Sequence, residues 1–151
     1  MARVESPPSS VRVLLVDDFE PWRQRVSSTL QRRKELRVVA EVADGLEAVQ
    51  KAKELKPDLI LLDIGLPNLN GIEAANRIRQ LVPGAKIIFL TQNSDKEVVQ
   101  AAMSSGVQGY VLKTDAATEL LTAVSRVLRG DDVVISGIEQ GNSGETENTT
   151  T

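Results

Sequence analysis

The chain has 151 residues, 41% of them hydrophobic, enough for one domain with a sizeable core, and a formal net charge of −3. It contains no cysteine and no histidine, which excludes disulfides, thiolate nucleophiles, iron–sulfur and zinc–cysteine sites, Ser–His–Asp triads and histidine-ligated metals. The mildly acidic balance argues against binding nucleic acid or an anionic membrane through bulk charge, and no apolar run approaches the ~20 residues of a membrane span.

Residues 1–10 hold Pro7 and Pro8 and no hydrophobic stretch, so they read as a short disordered lead with no likeness to a secretory signal. Val11–Val16 (VRVLLV) follows as the first strand. Pro21 suits a first helical position, and Trp22, Val26 and Leu30 recur every four residues as an apolar stripe. Val38–Val42 (VVAEV) reads as the second strand. Ala48, Ala52 and Leu55 form the next helical stripe, which ends before Pro57. Leu59–Leu62 (LILL) is the third strand, and Ala74, Ile78 and Leu81 mark a helix from near Gly71 to before Pro83. Ile87–Leu90 (IIFL) is the fourth strand. The pairs Val98, Ala102 and Val99, Met103 mark a helix with Ser94 and Glu97 at capping-box spacing ahead of it. Tyr110–Leu112 is the fifth strand. Leu120, Val124, Val127 and Leu128 form the last stripe, with Asp115 as the expected cap and Gly130 at the C-terminal stop. Runs this short and rich in Val, Ile and Leu suit strands buried on both faces. Strand-then-helix repeated five times predicts an α/β fold with a parallel sheet between two helical layers. From Gly137 the composition turns polar, so residues 11–136 are expected to form the domain and 137–151 a disordered linker or tail.

Ligands of open parallel sheets bind at the carboxyl ends of the strands. Asp17 and Asp18 follow the first strand, Asp63 the third, Thr91 the fourth and Lys113 the fifth, while Asp44 after the second is expected off to one side. Taken singly, each has an ordinary role as turn former, cap or solvated charge. Five such residues at one sheet edge are hard to obtain by chance. Three carboxylates placed together repel one another, and a hard, oxygen-ligated cation such as Mg2+ together with Lys113 would compensate them.

LLVDD at Leu14–Asp18, LLDIGLPNLNG at Leu61–Gly71, Leu90–Thr91 and GYVLK at Gly109–Lys113 together resemble the CheY-like receiver domain of bacterial response regulators. The likeness runs from about Val11 to Gly130. GVQGYVLK followed by ELLTAVSRVLRGDDVVIS is most similar to the NarL/LuxR-type subgroup. The resemblance implies a flavodoxin-like (βα)5 three-layer sandwich with strand order 2-1-3-4-5. It implies that Asp63 accepts a phosphoryl group from a phosphohistidine of a sensor histidine kinase or phosphotransfer protein. It also implies that Asp18, Asp63 and the Gly65 carbonyl ligate Mg2+, with Asp17 helping through water. Thr91 would turn toward the phosphoryl oxygens, Lys113 would pair with them, and the position of Tyr110 would track activation.

Lys113–Thr114 stands where many receivers have Lys-Pro, so no cis bond is implied. Gly65, Gln92 and Asn93 are expected near the phosphoryl group, where they would tune its lifetime. The implied protein is a cytoplasmic regulator with only slow phosphotransfer chemistry of its own, not a dedicated enzyme. It would form a phosphorylation-dependent homodimer at most, bind no membrane and itself bind no nucleic acid, the subgroup's helix-turn-helix domain lying outside this chain. Two rivals share the architecture. A haloacid-dehalogenase-like phosphatase would carry its aspartyl phosphate after the first strand, at Asp17. A flavin-binding protein would need a Ser/Thr/Gly-rich phosphate loop, where this chain has DDFEPW.

Overall fold

A computed structural model describes residues 10–131 and 133–136. The lead and tail read from the sequence lie outside the described residues, apart from Ser10. The elements in chain order are β1 (Val11–Val16), α1 (Glu20–Leu30), β2 (Leu36–Val42), α2 (Gly45–Leu55), β3 (Leu59–Leu62), α3 (Gly71–Leu81), β4 (Lys86–Thr91), α4 (Lys96–Ser104), β5 (Gly109–Leu112), a 3-10 turn (Lys113–Asp115), α5 (Ala116–Leu128) and β6 (Val134–Ser136). The strands form one parallel sheet in the order β2-β1-β3-β4-β5-β6. The expected order 2-1-3-4-5 is present, extended by one strand.

Alternation along each strand divides the core between the two sheet faces. Leu14, Val16, Ile60, Leu62, Ile87, Phe89 and Tyr110 pack with Ala48, Ala52, Ala75, Ile78, Val99 and Ala102 of α2, α3 and α4. Val13, Leu15, Leu59, Leu61, Ile88, Leu90 and Val111 pack with Val26 and Leu30 of α1 and with Leu120, Ala123, Val124 and Val127 of α5. The central strands β3, β4 and β5 are buried almost throughout, as the apolar runs require. β2 departs from that expectation: it is one edge of the sheet, and Arg37 and Glu41 are exposed on it.

Local chemistry corrects several details. Pro21 is the second residue of α1, behind Glu20 and the N-cap Phe19. The cap of α4 is Asp95, not Ser94: its Oδ1 accepts the Glu97 and Val98 amides at 2.8 and 3.4 Å, and a carboxylate also suits the positive helix N-terminus. Asp115 stands at the N-cap of α5, yet its side chain makes no cap bond because the 3-10 turn delivers the chain into the helix. Leu81 is 46% exposed, and Val82, four residues after Ile78, closes the core in its place. Gly130 has φ of +87° just beyond the C-cap Arg129, the left-handed turn that ends α5.

β6 was not foreseen. Three residues are too few to stand out in a periodicity reading. The open edge of β5 supplies their partners: Gly109, Tyr110 and Val111 pair with Val134, Ile135 and Ser136, and Val134 is buried.

Candidate functional site

Parallel strands all end at one edge, so the residues after β1, β3, β4 and β5 meet whatever their separation in sequence. Asp17 and Asp63 are buried there, with 2% and 8% exposure, and Thr91 has 2%. Asp18 is exposed, and carboxylate oxygens of Asp17, Asp18 and Asp63 all lie within 4.8 Å of one another. Lys113 opens the 3-10 turn after β5, and its Nζ sits 2.6 Å from Asp17 Oδ2 and 3.1 Å from Asp63 Oδ2. The other oxygen of each buried carboxylate is fixed locally. Asp17 Oδ1 accepts the Phe19 amide at 2.9 Å and Asp63 Oδ1 the Ile64 amide at 2.7 Å. Each aspartate thus turns its own loop with one oxygen and presents the other to the cluster.

Burial pushes the Asp17 carboxyl above its ordinary range; the Lys113 contact and the Phe19 amide oppose this, and the Asp63 charge adds to it. Burial acts to lower Lys113, but the Asp17 contact and the Asp63 and Asp17 charges outweigh it and hold the ammonium above its ordinary range. Asp17 and Asp63 therefore share one close ammonium within a group of three carboxylates. Asp17 Oδ2 is buried and, despite the ion pair, receives no well-aligned hydrogen bond. A donor set of carboxylate oxygens, anionic in excess and one of them short of a partner, fits a hard divalent cation. Among the described residues this is the one such acidic group. Asp44 is not part of it; it caps α2 through the Glu47 amide at 2.7 Å and accepts Asn68 Nδ2 at 3.1 Å.

The cluster forms the floor of a cleft of about 950 Å³. Gly65, Thr91, Gln92 and Asn93 line it, as their positions in sequence led us to expect. The β4–α4 loop is tied to the site on one side and to β5 on the other. Thr91 Oγ1 accepts the Asn93 amide at 3.4 Å, and Tyr110 donates its hydroxyl to the Asn93 carbonyl at 2.7 Å. Tyr110 points inward, fully buried, edge-on to Phe89 with ring centroids 6.1 Å apart. Burial, aided by the charges of Asp63 and Asp95, pushes its phenol up to about 12, so it stays a hydrogen-bond donor.

Two glycines let the acidic loop close. A Cβ on Gly71 would stand 2.0 Å from the Asp63 carbonyl oxygen, and one on Gly45 would stand 1.8 Å from the Leu69 carbonyl oxygen. The sequence reading missed the α1 wall of the cleft, where Trp22, Arg25, Val26 and Thr29 face Lys113, Ala116, Ala117 and Leu120. Trp22 is the chain's one tryptophan, and Arg25 stands three residues on, the spacing that puts two helical side chains together. That pair was the available signal. Arg23 was also missed: its Nη1 donates to the Asp17 carbonyl at 2.6 Å, and its Nε pairs with Glu41 at 3.1 Å.

Comparison with known proteins agrees with this geometry. Residues 13–125 match the family model for the response regulator receiver domain. The chain is 40% identical over 124 residues to the response regulator protein VraR of Staphylococcus aureus, an alignment covering 82% of this chain and 59% of that protein. It therefore spans less than two thirds of the curated relatives it matches. Among solved structures, a LuxR-family two-component response regulator from an Aurantimonas species superposes with a TM-score of 0.84 at 34% identity, covering 92% of this chain and 99% of that one. The receiver domain of the putative response regulator NarL from Mycobacterium tuberculosis gives a TM-score of 0.77 at 29% identity, covering 82% and 99%. An acidic triad with one lysine at the carboxyl edge of a 2-1-3-4-5 parallel sheet, a family match across that whole edge and these relatives converge: the chain belongs to the receiver domains of two-component response regulators, of the NarL/LuxR type.

Proposed function

We propose that this receiver is a phosphorylation switch in which Asp63 is the phosphoacceptor. The observation that carries the reading is the position of Lys113, whose ammonium bridges the buried carboxylates of Asp63 and Asp17. Asp18, Asp63 and the Gly65 carbonyl would hold Mg2+, with Asp17 assisting through water. When bound, the ion supplies positive charge for the oxygens of the transferring phosphoryl group. Asp63 attacks as the ionised carboxylate. A phosphorus–oxygen bond forms at one of its oxygens while the bond from phosphorus to the donor's imidazole nitrogen breaks. Lys113 neutralises charge on the phosphoryl oxygens, and Thr91, already bonded to the β4–α4 loop, offers its hydroxyl to them. Tyr110 anchors the far side of the same loop through Asn93, so a shift of Thr91 is coupled to the β5 surface.

The donor is a phosphohistidine of a sensor histidine kinase or phosphotransfer protein, in keeping with a chain that has no histidine of its own. The chain's own chemistry is slow transfer and hydrolysis, and its role is regulation. We assign residues 11–136 to the receiver, with the kinase-facing surface in the cytoplasm, and the switch to regulation of transcription through a DNA-binding domain outside this chain. Among the described residues no helix is long and apolar enough to cross a membrane. A phosphatase of the haloacid-dehalogenase type is not supported, since the family match is to receivers.

Mass spectrometry after treatment with acetyl phosphate and Mg2+ tests the reading. One added phosphoryl group on Asp63, absent from Asp63→Asn, is expected. A stoichiometric adduct that survives Asp63→Asn overturns it.

A further inference from the structure

Trp22 occupies an unusual place for the one tryptophan of the chain. It lies on the first turn of α1, packs against the core shared by α1 and α5, and lines the cleft beside the acidic cluster. The Lys113 ammonium lies 5.3 Å from the centroid of its ring, and the Arg25 guanidinium lies 5.3 Å from it as well. Both are within the range at which a cation is held by an aromatic ring. The indole Nε1 is buried without a hydrogen-bond partner. A smaller apolar side chain would occupy the position without burying an orphan donor, which is a real cost. The ring's contribution here is therefore its charge-binding π surface, not its N–H.

Lys113 is held by two carboxylates that have other work. A phosphoryl group on Asp63 brings new acceptor oxygens, which compete for the ammonium with Asp17 Oδ2, now 2.6 Å away. A lysine on a four-carbon stem that loses an anchor gains rotamer freedom and can swing into solvent. An aromatic surface holds the charge without consuming a directional acceptor, so the N–H bonds stay free for phosphoryl oxygens. We propose that Trp22 is a positioning residue for phosphoryl transfer: its indole is a standing anchor that keeps the Lys113 ammonium at the cleft while its carboxylate partners change. This rests on the phosphoacceptor reading of Asp63.

The experiment uses the full chain and the variants Trp22→Phe and Trp22→Leu. Phosphorylation of Asp63 is followed across a range of acetyl phosphate concentrations with saturating Mg2+, alongside thermal unfolding. Losing a partly desolvated cation–π contact predicts a maximal rate roughly five- to tenfold lower for Trp22→Leu. The donor concentration at half-maximal rate should stay constant, and Trp22→Phe should remain within about twofold of the parent. If the leucine variant does not fold, Trp22→Met serves for the same comparison. As a readout apart from activity, Lys113→Met should change the fluorescence of Trp22 in metal-free protein. A leucine or methionine variant with the parent's maximal rate overturns the proposal. So does a phenylalanine variant as slow as leucine, or a Trp22 emission indifferent to Lys113. Failure of the parent protein itself to label at Asp63 would instead overturn the phosphoacceptor reading.

Discussion

Gly71→Ala perturbs the site without touching any of its charged groups. Gly71 opens α3, and its amide donates to the Ile64 carbonyl at 2.7 Å, which closes the loop that starts at Asp63. An added Cβ would lie 2.0 Å from the Asp63 carbonyl oxygen, 2.7 Å from Ile64 Cα and 2.9 Å from the Asp63 carbonyl carbon. Real Cβ contacts essentially never fall below 3.0 Å, so the backbone of Asp63 and Ile64 has to retreat by about 1 Å. All three atoms are main chain and cannot rotate away. Overpacking costs ~1–3 kcal/mol where neighbours can adjust, and the rigid surroundings here predict about 3 kcal/mol. The same movement would stretch the 3.1 Å contact between Lys113 and Asp63 toward the limit of an ion pair. Misplacing a reacting group by about 1 Å can cost roughly 100-fold in rate. Urea unfolding and the rate of labelling by acetyl phosphate measure the two effects separately. Gly84→Ala is the control, because a Cβ there meets nothing within 4 Å; it should change stability by no more than about 0.5 kcal/mol. A Gly71→Ala protein with the parent's urea midpoint and the parent's labelling rate would refute the claim that this glycine sets the position of Asp63.

Asp18→Ala should weaken Mg2+ binding by roughly tenfold or more in calorimetry, while Asp44→Ala, which removes the α2 cap and the Asn68 contact, should leave it unchanged; equal losses would contradict the acidic site. In magnesium-free buffer, Lys113→Met should destabilise the fold by about 3 kcal/mol, since it leaves Asp17 and Asp63 facing each other uncompensated, and added Mg2+ should restore part of that loss. Tyr110 is the one tyrosine, and burial lifts its phenol to about 12, above the ordinary 10. Between those values the unfolded chain binds fewer protons than the folded one, so stability should fall by about 1.4 kcal/mol per pH unit from this group. Lys113 adds to the alkaline loss in the same direction, and Tyr110→Phe should remove only the tyrosine part, at the constant cost of the bond to the Asn93 carbonyl. Sedimentation should show a mainly monomeric chain whose association is promoted by beryllofluoride, because a modification shifts association only as far as the dimer prefers the modified conformation; a tight dimer indifferent to the mimic would show that association is constitutive.

Much of this molecule is set by local pattern. Five short apolar runs separated by helical stripes specify five parallel strands, and parallel strands carry their following residues to one edge whatever lies between them. Asp17, Asp18, Asp63, Thr91 and Lys113 could therefore be placed together from the sequence, and so could the stops of α2 and α3 before Pro57 and Pro83. Cooperation between distant segments decided the rest. Val134–Ser136 is a strand only because β5 leaves an edge open, and Leu81 is exposed because Val82 already fills the gap under α3. Asp95 outcompetes Ser94 as a cap because the backbone turn presents its carboxylate to the amides of Glu97 and Val98. Pattern shows which residues reach the edge, but not how their charges share a small volume. That Lys113 bridges two buried carboxylates, and that Trp22 lies within reach of its ammonium, follows from distances between residues 50 or more positions apart in the chain. Periodicity along a sequence carries no information about such distances.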